Sequence, residues 1–263
     1  MDDRLAALFA AKAEVLRRDE ARESYEDVCA RAFARQGQRR SFELALQSAK
    51  GFGLIAEIKR ASPSLGTIVT NFDPATIART YQRAGADAIS VLTEESGFGG
   101  DLRYLDVVRA QTNVPILRKD FLTTPYQIAQ AAAYGADAVL LIVAGLDDRQ
   151  LEVLLAEAER FALTALVEVH DCEEALRAQT LGARVVGINN RDLRSFSVDL
   201  STAEKLAPIF TSETLLVAES GIQNRHDVER LLPTGVRAFL IGETLMRHPD
   251  PVACIHSLRG LNA

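Results

Sequence analysis

The sequence predicts an α/β fold, a single (β/α)8 TIM barrel with extra N-terminal helices, on three observations. Its 263 residues are close to the roughly 250 typical of one such barrel. One block recurs along the chain: AGADAISVLT at 84–93, YGADAVLLIV at 134–143, LGARVVGINN at 181–190 and TGVRAFLIGE at 234–243. Further apolar, β-branched runs lie midway between these blocks, so strand and helix alternate eight times.

The first 47 residues have a different pattern and form an N-terminal helical extension, expected to pack on the barrel formed by 48–263. Leu5, Leu8, Phe9, Val15 and Leu16 make one apolar stripe at helical spacing. Lys12 interrupts it, and its stem is expected to lie along the stripe with the ammonium in water. A second helix is predicted over 42–48. No stretch is rich enough in Pro, Gly or Ser to separate another domain.

The barrel strands are predicted to begin near 54, 88, 114, 138, 165, 185, 215 and 238. In each repeat a glycine, at 85, 135, 182 or 235, suits a left-handed helix end, and an aliphatic strand follows after a short turn. Between strands the apolar spacing is helical, as in Ile77, Tyr81 and Ala84 or Leu151, Leu154, Leu155 and Ala158. Short strands that are apolar almost throughout imply burial on both faces, and intervening helices imply right-handed parallel crossovers. The regular repeat gives no sign of a switch in strand order, which favours a closed barrel over an open sheet. No G-x-G-x-x-G follows the first strand, so a dinucleotide fingerprint is missing.

Composition narrows the function. Hydrophobic residues make up 48% and charged residues 25%, the balance of a globular protein. Thirty Lys plus Arg against 36 Asp plus Glu give a net charge of −6, which removes the driving force for binding a phosphate backbone, so no nucleic-acid partner is expected. Cys29, Cys172 and Cys254 match no metal or redox spacing and read as reduced thiols. Charges crowd the first twenty residues, unlike a signal peptide. No run reaches the roughly 20 apolar residues of a membrane span. A cytoplasmic monomer without membrane contact is the expectation.

In such a barrel chemistry sits at the C-terminal strand ends. The first strand reads Ile55-Ala56-Glu57-Ile58-Lys59, so a period of two sends Glu57 and Lys59 to one face. The third ends in Arg118-Lys119-Asp120, the fifth carries Glu168, the sixth ends in Asn189-Asn190-Arg191, and the seventh in Glu219-Ser220-Gly221. One such pair would read as a structural ion pair. Three glutamates and two lysines at one end read as catalytic, because desolvated charges shift one another's pKa values and so supply both an acid and a base. Gly221 and Gly242 follow strands seven and eight, where barrels commonly hold phosphate through backbone N–H groups. Ser62 and Ser220 are further donors. His170, His226, His248 and His256 have no metal spacing and read as loop or surface residues. Cys172 is expected in the opening turn of a helix. A metal on Glu57, Glu168 and Glu219 would compete with two lysines, so no metal is expected.

The motifs Ala56-Glu57-Ile58-Lys59-Arg60-Ala61-Ser62-Pro63-Ser64, Ser90-Val91-Leu92-Thr93-Glu94, Arg118-Lys119-Asp120-Phe121, Gly187-Ile188-Asn189-Asn190-Arg191-Asp192-Leu193, Ala218-Glu219-Ser220-Gly221-Ile222 and Phe239-Leu240-Ile241-Gly242 resemble the indole-3-glycerol phosphate synthase family in the same order. The resemblance implies ring closure, decarboxylation and dehydration of 1-(2-carboxyphenylamino)-1-deoxyribulose 5-phosphate, a step of tryptophan biosynthesis, with no cofactor. It implies Lys119 as general acid for closure and Glu168 as acid–base group for dehydration. Lys59 is implied at the substrate carboxylate and in hydroxide loss, and Glu57 as holder of both lysines. Asn189 and Glu219 would bind the sugar hydroxyl or an intermediate, with Arg191 and Ser220 closing the polar ring. Phe98, Phe121, Leu140 and Leu193 match the apolar pocket for the anthranilate ring. Gly221, Gly242, Glu243, Lys59 and Ser62 match the phosphate site.

Three positions depart from the family pattern: Leu65 where many relatives have lysine, Asp101 where serine is usual, and Glu243 where serine is frequent. Other chemistries on this scaffold remain open at the level of fold. A phosphosugar aldolase would form a Schiff base through Lys59 or Lys119. A phosphoribosylanthranilate isomerase would need a cysteine base at strand one. A non-catalytic scaffold would be expected to lose polar strand ends, and none is lost here.

Overall fold

Eight parallel strands close into one barrel in the computed structural model, which describes residues 3–63, 66–192 and 197–261, with side chains from residue 7 onward. They are β1 (Gly53–Ile58), β2 (Ala88–Leu92), β3 (Ile116–Lys119), β4 (Ala138–Ile142), β5 (Thr164–Val169), β6 (Val185–Asn189), β7 (Leu215–Glu219) and β8 (Ala238–Ile241). Each pairs with the next in chain order. β8 returns to β1, Gly53 lying opposite Ala238 and Ala56 opposite Ile241.

Both faces of these strands are buried, for different purposes. Outward residues such as Leu54, Ala56, Val167, Val169 and Phe239 pack beneath the surrounding helices. Inward residues such as Ile55, Leu117, Leu140, Leu166 and Val217 fill the barrel. Continuing that alternation by two brings Glu57, Lys119, Glu168 and Glu219 to the C-terminal mouth. The chemistry therefore stands on a packed apolar floor.

The outer helices are α4 (Pro74–Arg83), α5 (Tyr104–Arg109), α6 (Pro125–Ala133), α7 (Asp148–Arg160), α8 (Cys172–Thr180), α9 (Ser201–Leu206), α10 (Arg225–Leu231), α11 (Glu243–Arg247) and α12 (Pro251–Arg259). The repeat glycines do what their spacing implies: Gly85, Gly135, Gly182 and Gly235 have φ of 93°, 84°, 71° and 105°. β3 starts at Ile116 rather than at Val114, since Pro115 brings no N–H to a ladder. Cys172 opens α8, behind an Asp171 cap.

Among the described residues three α-helices precede the barrel. They are α1 (Asp3–Arg22), α2 (Tyr25–Ala34) and α3 (Phe42–Gln47). The helix predicted at 42–48 is α3. Its Phe42 and Leu46 plug the N-terminal end of the barrel. Helix α2, not expected from the sequence, lies against α6 and buries Val28, Cys29 and Ala32. At the barrel floor Asp137 accepts from the Arg40 N–H at 2.9 Å and the Ile116 N–H at 2.8 Å, and pairs with Arg109. That anchor joins the preceding segment to the strands.

At the other end α1 crosses the mouth. Leu8 and Phe9 join the inner apolar cluster, and the Phe9 ring stands edge-on to Phe121 at 5.2 Å. Leu5 lies outside the described side chains. The expectation for Lys12 is corrected: it is 5% exposed, and its Nζ donates to Asp120 Oδ2 at 2.5 Å. Burial lowers the Lys12 pKa, a shift that Asp120 opposes. A lysine placed where a stem would ordinarily run out to solvent instead meets a carboxylate from β3, whose charge compensates the burial.

Candidate active site

A cavity of about 700 Å³ opens at the C-terminal mouth beneath α1. Every described residue that the sequence assigned to a site lines it. Glu57, Lys59, Lys119, Glu168, Asn189 and Glu219 form the polar floor, and Phe98, Phe121 and Leu140 an apolar wall. Ser62, Arg191, Ser220, Gly221, Gly242 and Glu243 line the remaining side. Leu193, like Leu65, lies outside the described residues.

Lys119 is the hub of the floor. Its Nζ donates to Glu168 Oε2 at 3.2 Å and lies 3.3 Å from Glu219 Oε2. Lys59 Nζ pairs with Glu57 Oε1 at 2.9 Å, as their shared face implied. Asn189 Nδ2 donates to Glu168 Oε1 at 3.2 Å. The contact of Lys119 with Glu219 lacks hydrogen-bond alignment, so both Glu219 oxygens are buried acceptors without a hydrogen-bond partner. They are free to accept from a bound hydroxyl.

Burial pulls on these groups in opposite directions. It works against the Lys119 ammonium, but Glu168, Glu219 and Glu57 outweigh it and raise the pKa above the ordinary lysine value. Burial would raise Glu57, yet Lys59 and Lys119 hold it below the carboxylate range. Glu168 is likewise held low against burial, by Lys119 and His170. Glu219 goes the other way. Burial pushes it up to about 8, opposed by Lys119 and helped by Glu168. Near neutral pH one pocket thus holds the Lys119 ammonium, ionised carboxylates and a carboxyl able to keep its proton.

Two bare Cα atoms make this crowding possible. A Cβ at Gly242 would collide with the Glu57 carboxylate, and one at Gly187 with the Glu219 carboxylate. Gly187 was not singled out from sequence, although it stands two residues before Asn189 on the inward face. After β7 the chain turns with Ser220 at φ 61° and Gly221 at φ 82°. Asn190 holds that turn by donating to the Glu219 and Ser220 carbonyls at 3.0 and 3.1 Å.

The rim carries further polar groups. Glu94 accepts from the N–H groups of Ser96, Gly97 and Phe98 at 2.8, 2.6 and 3.1 Å, so one carboxylate shapes the loop that presents Phe98. A buried carboxylate needs such donors, which is the signal its place at a strand end offered. Asp101, one of the departures, accepts from the Arg103 N–H and guanidinium. Glu243 faces Arg191 at 3.6 Å and Arg247 at 3.4 Å. His170 stands in the loop after β5, as expected, but within reach of the site: its Nε2 lies 3.2 Å from Glu168 Oε1 and its Nδ1 3.0 Å from Glu174 Oε2.

The chain matches the family described as "Indole-3-glycerol phosphate synthase" over residues 5–258. The chain belongs to the indole-3-glycerol phosphate synthase family. A synthase of that name from Roseiflexus castenholzii is 45% identical, covering 99% of each chain. One from Parafrankia sp. is 50% identical over 79% of this chain and 78% of its own. Among solved structures, a thiamine phosphate pyrophosphorylase from Pyrococcus furiosus superposes with a TM-score of 0.61 at 20% identity, covering 83% of this chain and 96% of its own. A 3-hexulose-6-phosphate synthase does so at 0.59 and 19%, covering 80% and 100%. At those identities the likeness concerns the barrel alone.

Membership makes the chain a decarboxylating carbon–carbon lyase of tryptophan biosynthesis, and two consequences of its geometry are measurable. Gly187→Ala and Gly242→Ala should each displace a glutamate from the synthase floor. Because a 1 Å misplacement costs on the order of 10²-fold, kcat should fall by about that factor while circular dichroism stays native. Glu219, raised from 4.5 to about 8 in the folded state, contributes stability that is complete below pH 4.5 and is lost as pH climbs through 8. Glu219→Gln should therefore lose less thermal stability than the parent between pH 6 and 9, with roughly 2–4 °C in Tm for each kcal/mol of difference. Parallel Tm curves across that range would remove the assignment.

Proposed function

We propose that this pocket closes the indole ring with Lys119 as proton donor and Glu168 as acid–base group. The chain converts 1-(2-carboxyphenylamino)-1-deoxyribulose 5-phosphate to indole-3-glycerol phosphate, releasing CO₂ and water. The observation that carries the residue roles is the Lys119 ammonium wedged between Glu168 and Glu219 above an apolar barrel floor. For closure, the C2′ carbonyl must become electrophilic before the ring carbon bearing the carboxylate attacks it. The alkoxide that develops is more basic than an amine, so a lysine whose pKa lies above the usual range still passes it a proton.

Loss of CO₂ returns the electron pair to the ring. Glu168, kept ionised by its neighbours, then removes a proton while Lys59 assists departure of hydroxide as water. Two protons given and one taken leave one consumed, which matches the conversion of a carboxylate to CO₂. Glu57 pairs with Lys59 and helps keep Lys119 charged between turnovers, and Glu219 and Asn189 hold the sugar or an intermediate. Phe98, Phe121 and Leu140 pack the anthranilate ring, with Leu193 assigned there by resemblance. The phosphate goes to Gly221, Gly242 and the Glu243 N–H, with Ser62, Lys59, Ser220 and Arg191 beside it. We further propose that the enzyme works as a cytoplasmic monomer with no nucleic-acid or membrane partner, residues 1–47 serving as an extension of the 48–263 barrel. Among the described residues no helix is long and apolar enough to cross a membrane. Purified protein given substrate without added metal or cofactor should generate indole fluorescence with time; a flat trace would contradict the reading.

A further inference from the structure

Among the described residues, His170 is the one titratable group in contact with Glu168 that the proposed steps leave unused. It continues the inward alternation of β5, two residues past Glu168, and its side chain is 11% exposed. Carboxylate oxygens face both ring nitrogens: Glu168 Oε1 at 3.2 Å from Nε2 and Glu174 Oε2 at 3.0 Å from Nδ1. A neutral imidazole offers one N–H and one lone pair, so two facing carboxylates are both served only by the doubly protonated ring. The contact to Glu168 is a close charge pair without hydrogen-bond alignment.

The clamp on the other side is held by several hydrogen bonds. Glu174 Oε2 also accepts the His170 backbone N–H at 2.8 Å. Glu174 stands in the first turn of α8, where its own N–H donates to the capping Asp171 at 2.9 Å. The ring is thus fixed from the outside of the barrel, and Glu168 is free to meet it from within. Further charges reach it through Glu168, from Lys119 on β3 and Glu219 on β7.

We propose that His170, clamped by Glu174, is a positioning residue whose imidazolium keeps Glu168 ionised and turned toward Lys119 and the cavity. This rests on the reading of Glu168 as the acid–base group. Two cations flank one carboxylate, Lys119 donating to Oε2 and His170 lying 3.2 Å from Oε1, so its charge is balanced on both oxygens. The second cation matters after ring closure, when Lys119 has given up its proton and no longer holds Glu168 by charge. His170 then keeps the carboxylate ionised for the proton abstraction that follows. Burial lowers the His170 pKa, but Glu168 and Glu174 outweigh it and push the group up to about 10.

The test combines kinetics with a direct view of the ring. His170→Ala and His170→Gln should lower kcat roughly 10- to 100-fold, the usual cost of losing a partner that orients a working group. KM should stay within about twofold, since the ring does not line the cavity, and the acid limb of kcat should move up by about one pH unit or more as Glu168 loses a cation. Glutamine keeps a donor without the charge, so it should restore part of the rate and none of the pH shift. Glu174→Gln should give the same direction of change with smaller size. Proton and nitrogen NMR of His170 in the unmodified enzyme should find both ring nitrogens protonated at pH 8. A ring that titrates near pH 6.5 overturns the proposal without any variant, as does unchanged kcat with an unmoved acid limb. Glu168→Gln separates the two ideas: full activity there removes the role of Glu168, whereas lost activity there with normal His170 variants removes only the role of His170.

Discussion

Lys119→Met is expected to lower kcat by at least 10³-fold while the protein remains folded. General acid catalysis and charge stabilisation in a water-poor site are each worth about 10²–10⁴-fold, and Lys119 supplies both to one oxygen. Methionine fills the stem's volume, so the apolar floor under it is undisturbed. The substitution strands Glu168 and Glu219, and breaking a buried pair costs about 3–5 kcal/mol. Protonation relieves part of that cost, because Glu219 already takes up a proton near pH 8. The variant should therefore show its largest loss of Tm at alkaline pH and little at pH 6. Near-normal turnover would remove Lys119 from the reaction.

Asp120→Ala is expected to be the most damaging single change to stability. Its Oδ2 accepts from Lys12 at 2.5 Å, Thr93 Oγ1 at 2.6 Å and Arg118 Nη2 at 2.9 Å, and its Oδ1 accepts the Phe121 N–H at 2.9 Å. Arg118 is 1% exposed and is the largest of the fully buried side chains among the described residues. Lys12 and Arg118 would both lose the carboxylate that pairs them, at a cost of about 3–5 kcal/mol, or roughly 10 °C of Tm. Lys12→Met should cost much less, since the remaining Arg118–Asp120 pair stays neutral. Both changes free α1, which carries Leu8 and Phe9 over the cavity, so KM should rise in both. Equal Tm losses for the two variants would show that Asp120 does not serve two cations.

What the chain discloses without coordinates is what repeats or lies close in sequence. A period of two along β1 places Glu57 and Lys59 side by side, and the structure holds them 2.9 Å apart. The repeat glycines end helices because a left-handed residue is needed there. Contacts across long separations left no such trace. Lys12 and Asp120 are 108 positions apart, and nothing local says that a lysine in an apolar stripe will meet a carboxylate from β3. His170 was legible in principle. It shares the inward alternation of Leu166 and Glu168, but a reading confined to metal spacings misses a histidine whose partners are carboxylates. α2 also had a signal in Ser24 and Asp27, three apart, before Val28; Ser24 caps the helix by accepting the Asp27 N–H at 3.1 Å. Gly187 gave none, because its reason is a side chain arriving from the neighbouring strand.

A crystal structure with a substrate analogue whose C2′ carbonyl is reduced to an alcohol bears most directly on the central claim. The C2′ oxygen should lie within hydrogen-bond distance of Lys119 Nζ, the aromatic ring against Phe98, Phe121 and Leu140, and the phosphate at the turns of Gly221 and Gly242. An analogue bound with its phosphate at the opposite end of the barrel, or with Lys119 turned away from C2′, would contradict it.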